Sequence, residues 1–284
     1  MENDELTIFL LSKWTQSCAL HFVDKNRVTA SSGWHKCDRR IGRSLILIQP
    51  VRMMLVSVPR DVNGVGVLSS PGPYMTVTIR NSDLIDSVAD ALQYISYFHP
   101  MDYIRALGDA YTAEQSPAAK DAIAQILTNS RMCAEGHRPI CQDTGIVNVF
   151  VKWGMDCRLE DTSASLQEVI DEGVRRAYLH PENKLRASVL ADPAFTRLNT
   201  KDNTPCVLHV EMVAGSKVSV DVAAKGGGSE NKSKFKMMNP SDNIVDWVVE
   251  MLPQMGAGWC PPGMLGIGIG GTAEHCVLLA KQAL

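Results

Sequence analysis

The sequence predicts an α+β fold, with helices packed around a small antiparallel sheet and Gly-rich site loops. Three observations predict it. Apolar residues recur at helical spacing from about residue 82 onward. One strict period-two alternation, broken by a Gly-Ser turn, marks a hairpin near 207–222. Two glycine-dense segments, at 226–228 and 266–271, each follow a strand signal. Helices and hairpin fall in blocks, which fits α+β better than strict βα alternation.

The elements follow in chain order. Residues 1–74 show no sustained helical period. Leu45–Ile48 and Met53–Val56 could be short strands, and Pro50, Pro59, Pro71 and Pro73 punctuate the stretch. It carries nine Lys/Arg against six Asp/Glu, where the remainder carries 19 against 25. We read residues 1–74 as an extension that does not share the fold of the rest, with a small separate domain as the alternative. Ser82-Asp83 should cap a helix through Phe98, whose stripe is Leu84, Val88, Leu92 and Ile95. His99-Pro100 breaks it, and a second helix runs to about 113. Ser116-Pro117 is a cap followed by Pro at the first helical position, opening a third helix that ends by Gly136. Val147–Val151 reads as a strand and 165–179 as an amphipathic helix. Val207–Val213 alternates, Gly215-Ser216 turns the chain, and Val218–Val222 returns it. A helix covers about 243–252, a Gly-rich strand 264–269, and a last helix starts at Thr272.

Composition narrows the function. The 284 residues are 45% hydrophobic and 21% charged, with a net charge of −3. That is globular composition, and it offers no basic field for nucleic acid. No apolar run approaches a membrane span, and Met-Glu-Asn-Asp-Glu is acidic where a secretory signal is basic. Eight cysteines without a CxxC pair read as mostly buried thiols of a reduced, cytoplasmic chain.

Three segments look like chemistry. In Arg138-Pro139-Ile140-Cys141-Gln142-Asp143-Thr144-Gly145, a thiol stands among an amide, a carboxylate and a hydroxyl in a loop. Cys141 there could ligate a metal or attack an electrophile; a surface turn is the bland alternative. In Lys225-Gly226-Gly227-Gly228-Ser229-Glu230-Asn231-Lys232, three glycines let backbone approach an anion closely, while no Gly precedes Lys232 as a Walker A loop requires. A flexible hairpin exit competes with that reading. In Trp259-Cys260-Pro261-Pro262-Gly263-Met264-Leu265-Gly266-Ile267-Gly268-Ile269-Gly270-Gly271, the spacing matches G-x-G-x-x-G. Thirteen residues after Gly271 leave no room for the second strand of a dinucleotide-binding unit, so a tight turn delivering a helix N-terminus is the better reading. Two loop thiols far apart in sequence, Cys141 and Cys260, suggest one shared metal site. An iron–sulfur cluster suits them better than zinc, because no paired ligand spacing is present.

The segments RPICQDTGIVNVFVKWG, LRASVLADP, KGGGSENKSKF, MGAGWCPPGMLGIGIGGTAE and LLAKQAL resemble the class I fumarate hydratases and the related tartrate dehydratase α-type domain. The resemblance runs from about residue 75 to Leu284. It implies a 4Fe-4S hydro-lyase interconverting fumarate and L-malate, a step of the tricarboxylic acid cycle. It implies Cys141 and Cys260 as cluster ligands, with a third cysteine in a later part of the family's chain. By this resemblance residues 75–284 are the catalytic domain, ending before its third ligand, and the chain is an incomplete fragment. Gln142 and Asp143 look like polar groups beside substrate, with Asp143 handling the hydroxyl side. Arg186 looks like a carboxylate clamp, Gly227 and Gly228 like backbone donors, and Lys225 like added charge. The implied partners are a small dicarboxylic acid, and either a second copy in a full-length homodimer or a separate β-type domain. No nucleic acid or membrane is implied. A tartrate dehydratase α subunit and a non-catalytic remnant of the domain are the alternatives.

Overall fold

The computed structural model describes residues 6–13, 17–23, 27–29, 76–260 and 263–284. In chain order the elements are β1 (Leu6–Lys13), β2 (Ser17–Val23), β3 (Arg27–Thr29), β4 (Val77–Ile79), α1 (Asn81–Tyr97), α2 (Met101–Ala113) and α3 (Pro117–Gly136). Next come β5 (Ile146–Gly154), β6 (Cys157–Leu159), α4 (Leu166–Tyr178), β7 (Val207–Val213), β8 (Val218–Lys225), the single turn α5 (Gly227–Glu230) and β9 (Lys234–Met238). The chain closes with α6 (Ile244–Gln254), a 3-10 turn (Ala257–Trp259), β10 (Met264–Ile269) and α7 (Ala273–Gln282). The class is α+β. The two strands suggested at Leu45–Ile48 and Met53–Val56 lie outside the described residues.

Helix starts show how local signals act. Ser116 caps α3 by accepting from the Ala119 N–H, with Pro117 at the first helical position. Ser165 and Glu168 form a reciprocal capping box on α4. The cap expected at Ser82-Asp83 is corrected: the cap lies two residues before Ser82, at Arg80, with no side-chain cap bond. Asp83 is drawn off by Arg80, whose Nε donates to it at 3.0 Å.

The main core lies between α1, α4 and one face of a five-stranded sheet. Leu84, Val88 and Leu92 of α1 meet Val169, Ile170, Val174 and Tyr178 of α4. The sheet supplies Val147, Val149, Val151 and Trp153 from β5, and Val218, Val220 and Val222 from β8, at period two. Each side chain of this size contributes roughly 1.5–3 kcal/mol when fully buried.

The sheet order corrects the hairpin. β7 and β8 are joined by a short turn, yet they are not neighbours: the order is β3-β2-β8-β5-β7. β5 wedges between them, antiparallel to β8 and parallel to β7. Its tip enters the turn, where the Gly154 N–H donates to the Lys217 carbonyl and the Asp156 N–H to the Gly215 carbonyl. The reason is burial. Val147 to Val151 are buried without a break, so β5 needs a strand on both edges, whereas β7 is largely exposed and stands at the sheet margin.

A second sheet has the order β10-β1-β9, and β4 pairs with β6 in parallel. Of the first 74 residues, β1 pairs with both β9 and β10, and β2 pairs with β8. The division of the chain at residue 75 remains a proposal beside these pairings. The glycines of the 266–271 motif serve packing. A Cβ at Gly266 would lie 2.2 Å from the Ala280 carbonyl oxygen, and one at Gly268 would lie 2.0 Å from that of Cys276. Their absence lets α7 lie flush on β10.

Candidate functional site

Three loops converge at one end of the five-stranded sheet. The first, residues 141–145, leads into β5. Gly145 has φ +86°, and a Cβ there would lie 2.7 Å from the Lys225 nitrogen, so only glycine lets this loop press onto the end of β8. The second loop leaves β8 at Lys225. A Cβ at Gly226 would stand 2.9 Å from Asp143 Oδ2, so the Asp143 carboxylate occupies the space a side chain would fill. The third is the turn before Cys260, whose Gly258 carbonyl lies 3.3 Å from where a Gly228 Cβ would be.

The result is a cluster of Cys141, Asp143, Gly226–Gly228 and Cys260. Cys260 lies close enough to Cys141 to sense it. Cys260 is held above the usual thiol range by partial burial first, then by the neighbouring Cys141 and Asp143. Cys260 sits in the left-handed region at φ 59°, closing the 3-10 turn. The Cys141 thiol donates to Gln142 Oε1 at 3.4 Å and accepts from the Asp143 N–H at 3.4 Å. Asp143 Oδ1 accepts from the Gly145 N–H. Beneath the loop lies a cavity of about 60 Å³ between His99, Tyr103, Cys141, Asp143, Thr144 and Met264.

Arg186 joins the cluster through its backbone. Its carbonyl accepts from Thr144 Oγ1 at 2.7 Å, and its guanidinium is exposed with no hydrogen bond or ion pair among the described residues. Lys225 is different. It is 2% exposed, and its Nζ lies 3.3 Å from Glu230 Oε2 and 3.4 Å from Ser229 Oγ. Burial lowers it to about 8, against the opposing pull of Glu230. Lys281 of α7 closes the chain of charges, 2.7 Å from Glu230 Oε1.

Sequence reasoning missed the supports. Tyr178, fully buried on α4, donates its hydroxyl to the Thr144 and Gly145 carbonyls at 2.9 and 3.1 Å. Asn203 donates to Gly145 and accepts from Ser188 and Val189, tying the Arg186 segment to the Cys141 loop. Both act on main-chain carbonyls, which no side-chain motif reveals. The remaining described cysteines, Cys133, Cys157, Cys206 and Cys276, are buried. Among the described residues no group of three His, Cys, Asp or Glu side chains is arranged to hold a metal ion, and no helix is long and apolar enough to cross a membrane.

Comparison with known proteins fits this arrangement. The family described as fumarate hydratase (Fumerase) matches residues 85–284. A putative L(+)-tartrate dehydratase subunit alpha of Methanocaldococcus jannaschii is 35% identical over 207 residues, covering 70% of this chain and 71% of that protein. The L(+)-tartrate dehydratase subunit alpha of Escherichia coli O157:H7 is 28% identical over 204 residues, and the chain spans 66% of its length. The matched region contains all three converging loops, and with that the chain belongs to the fumarate hydratase family of hydro-lyases.

Proposed function

We propose that this chain carries the catalytic loops of an iron–sulfur hydro-lyase acting on a four-carbon dicarboxylic acid, interconverting fumarate and L-malate. The observation that supports this most is the meeting of Cys141 and Cys260 beside Asp143, across more than a hundred residues of sequence. Two neighbouring thiols form the soft donor set an iron–sulfur cluster requires. They fit as two of its ligands, and Cys133, Cys157, Cys206 and Cys276 are not disposed to add a third. When bound, such a cluster supplies a Lewis-acid iron that polarises a substrate carboxylate and hydroxyl.

The chain's own residues do the rest. The Arg186 guanidinium, exposed and without an ion pair among the described residues, clamps a substrate carboxylate by paired N–H bonds. The Gly226–Gly228 backbone, free of side chains, approaches the substrate and donates N–H groups. Asp143, fixed by the Gly145 N–H, exchanges the proton on the hydroxyl side. Gln142 orients polar substrate atoms. Lys225 supplies positive charge from beneath the loop, its ammonium held by Glu230.

The names of the similar proteins favour a second substrate, L(+)-tartrate, and a second polypeptide beside an alpha subunit. L-Malate and L(+)-tartrate differ by one hydroxyl. Anaerobic reconstitution of the full chain with iron and sulfide tests the site. A brown protein with a 4Fe-4S signal, lost in Cys141→Ser and in Cys260→Ser, is the expected result. A full cluster retained in either variant rejects the ligand assignment. Assays of fumarate hydration and tartrate dehydration, with and without a β-type chain, then separate the substrates; we expect little turnover from this chain by itself.

A further inference from the structure

Lys281 stands in the last turn of α7, where a lysine ordinarily meets the helix C-terminus from solvent. Here its side chain is only 16% exposed, and its ammonium lies 2.7 Å from Glu230 Oε1, 51 residues away. Lysine is seldom taken out of water unless it is paired. Yet Glu230 does not belong to Lys281 alone. Its other oxygen lies 3.3 Å from the ammonium of Lys225, buried at the end of β8 beneath the glycine turn. One carboxylate is shared by two ammonium groups.

Pairing by itself does not call for this arrangement. Lys225 and Glu230 would balance each other, and a second lysine brings another charge out of water. The count changes when Asp143 is included. Its Oδ2 stands 2.9 Å from where a Gly226 Cβ would be, one residue after Lys225. Glu230, Lys281 and Asp143 are the charges that Lys225 senses. With Lys281 the four side chains are balanced at pH 7. Without it they carry one excess negative charge, held under the backbone that receives a doubly negative substrate. Charges away from solvent are weakly screened, so that excess would act across the turn. α7 is seated for this task. It lies flush on β10 because Gly266 and Gly268 carry no side chains, and this sets Lys281 beside Glu230.

Resting on the hydro-lyase reading of the site, we propose that Lys281 is a substrate-affinity residue acting at a distance: it offsets the charge of Glu230, so that the Lys225 ammonium remains available to a dicarboxylate dianion at the Gly226–Gly228 turn. Lys281 touches no reacting atom. Its part is to keep the floor of the site from repelling the second negative charge of the substrate.

Two measurements test this, one of them independent of substrate. Alkylation of the full chain before reconstitution compares iodoacetate, an anion, with neutral iodoacetamide at Cys260, which is exposed and lies near Asp143. Both reagents react with the same thiolate, so a change in packing or thiol acidity moves both rates and leaves their ratio. Lys281→Met should lower the iodoacetate-to-iodoacetamide ratio on the order of threefold, read by peptide mass spectrometry. Lys281→Arg should keep the wild-type ratio. Lys281→Met with Glu230→Gln should restore it, because the charges balance again. Calorimetric titration of L-malate and L(+)-tartrate into the reconstituted full chain, supplied with a β-type chain, should show binding weakened on the order of tenfold in Lys281→Met and kept in Lys281→Arg. An unchanged alkylation ratio overturns the proposal, as does a double variant no better than Lys281→Met. A lowered ratio with substrate affinity unchanged also overturns it and leaves the hydro-lyase reading standing. A wild-type chain that binds neither acid rejects that reading, and the assignment of Lys281 to substrate with it.

Discussion

The side-chain amide of Asn203 donates to the Gly145 carbonyl at 3.1 Å, while its oxygen accepts from the N–H groups of Ser188 and Val189 at 2.7 and 3.2 Å. The residue is fully buried and sits at φ 63°, a region asparagine tolerates better than most residues. One side chain thus fastens two loops of the site. Asn203→Ala strips the part-buried Ser188 and Val189 N–H groups of their acceptor, leaves the Gly145 carbonyl with the Tyr178 hydroxyl as its donor, and adds a left-handed penalty, so we predict a loss of about 3 kcal/mol in urea unfolding. Asn203→Gly removes the backbone penalty alone and should lose about 2 kcal/mol. Losses under about 0.5 kcal/mol in both would show that water replaces these bonds.

Glycines of similar appearance should respond in opposite directions. Gly268→Ala drives a methyl group against the Cys276 carbonyl and pushes α7 off β10, with a predicted cost of about 3 kcal/mol. Gly108, inside α2, has open space where a methyl group would stand, with nothing within 4 Å. Gly108→Ala should stabilise by about 0.5–1 kcal/mol. Thermal unfolding of the two variants side by side checks the sign of each.

That contrast explains what could be read in advance. Leu84, Val88 and Leu92 announce α1 because helical contacts are local, and Ser116-Pro117 announces α3 for the same reason. Val207–Val222 looks like a hairpin because alternation and a Gly turn are also local. The insertion of β5 is decided by its own burial, some sixty residues away, and leaves no mark near the turn. Gly266 and Gly268 carry a dinucleotide spacing for a packing reason, since a helix lying flush on a strand needs the same missing side chains. Cys141, Asp143, Cys260 and the 226–228 glycines could be picked out as polar or glycine-rich loops. Their meeting point, and the role of Tyr178 and Asn203 in holding it, depend on long-range contacts.

His99 should make stability sensitive to acid. Burial lowers its imidazole to about 4, and its Nδ1 lies 2.9 Å from Ser130 Oγ beside the Tyr103 ring. The unfolded chain takes up this proton near pH 6.5, well before the folded protein does. Stability is therefore complete above about pH 6.5 and falls as pH drops toward 4, by roughly 3 kcal/mol at most. His99→Leu should flatten the slope of urea-unfolding free energy between those limits. An unchanged slope would assign the acid sensitivity to other groups.

Glu230 stands between two ammonium groups, 2.7 Å from Lys281 and 3.3 Å from Lys225. Its partial exposure softens the pairing with Lys281, but Lys225 is buried and depends on it. Glu230→Gln leaves that ammonium without its nearest counter-charge, and we predict a loss of roughly 2 kcal/mol at pH 7. The loss should shrink as pH rises past about 8, where Lys225 is already neutral in the folded wild-type protein and the pairing no longer operates. The sign follows from the proton count. The unfolded lysine stays charged to about 10.5, so lowering the folded value further costs stability only while the wild-type group is still protonated. Glu230→Gln combined with Lys225→Met should lose less than the two single changes together, because the double variant no longer strands the buried Lys225 charge. Urea unfolding of all four proteins at pH 7 and pH 9 measures both effects. A penalty equal at the two pH values would place the stabilisation in the Lys281 pair alone.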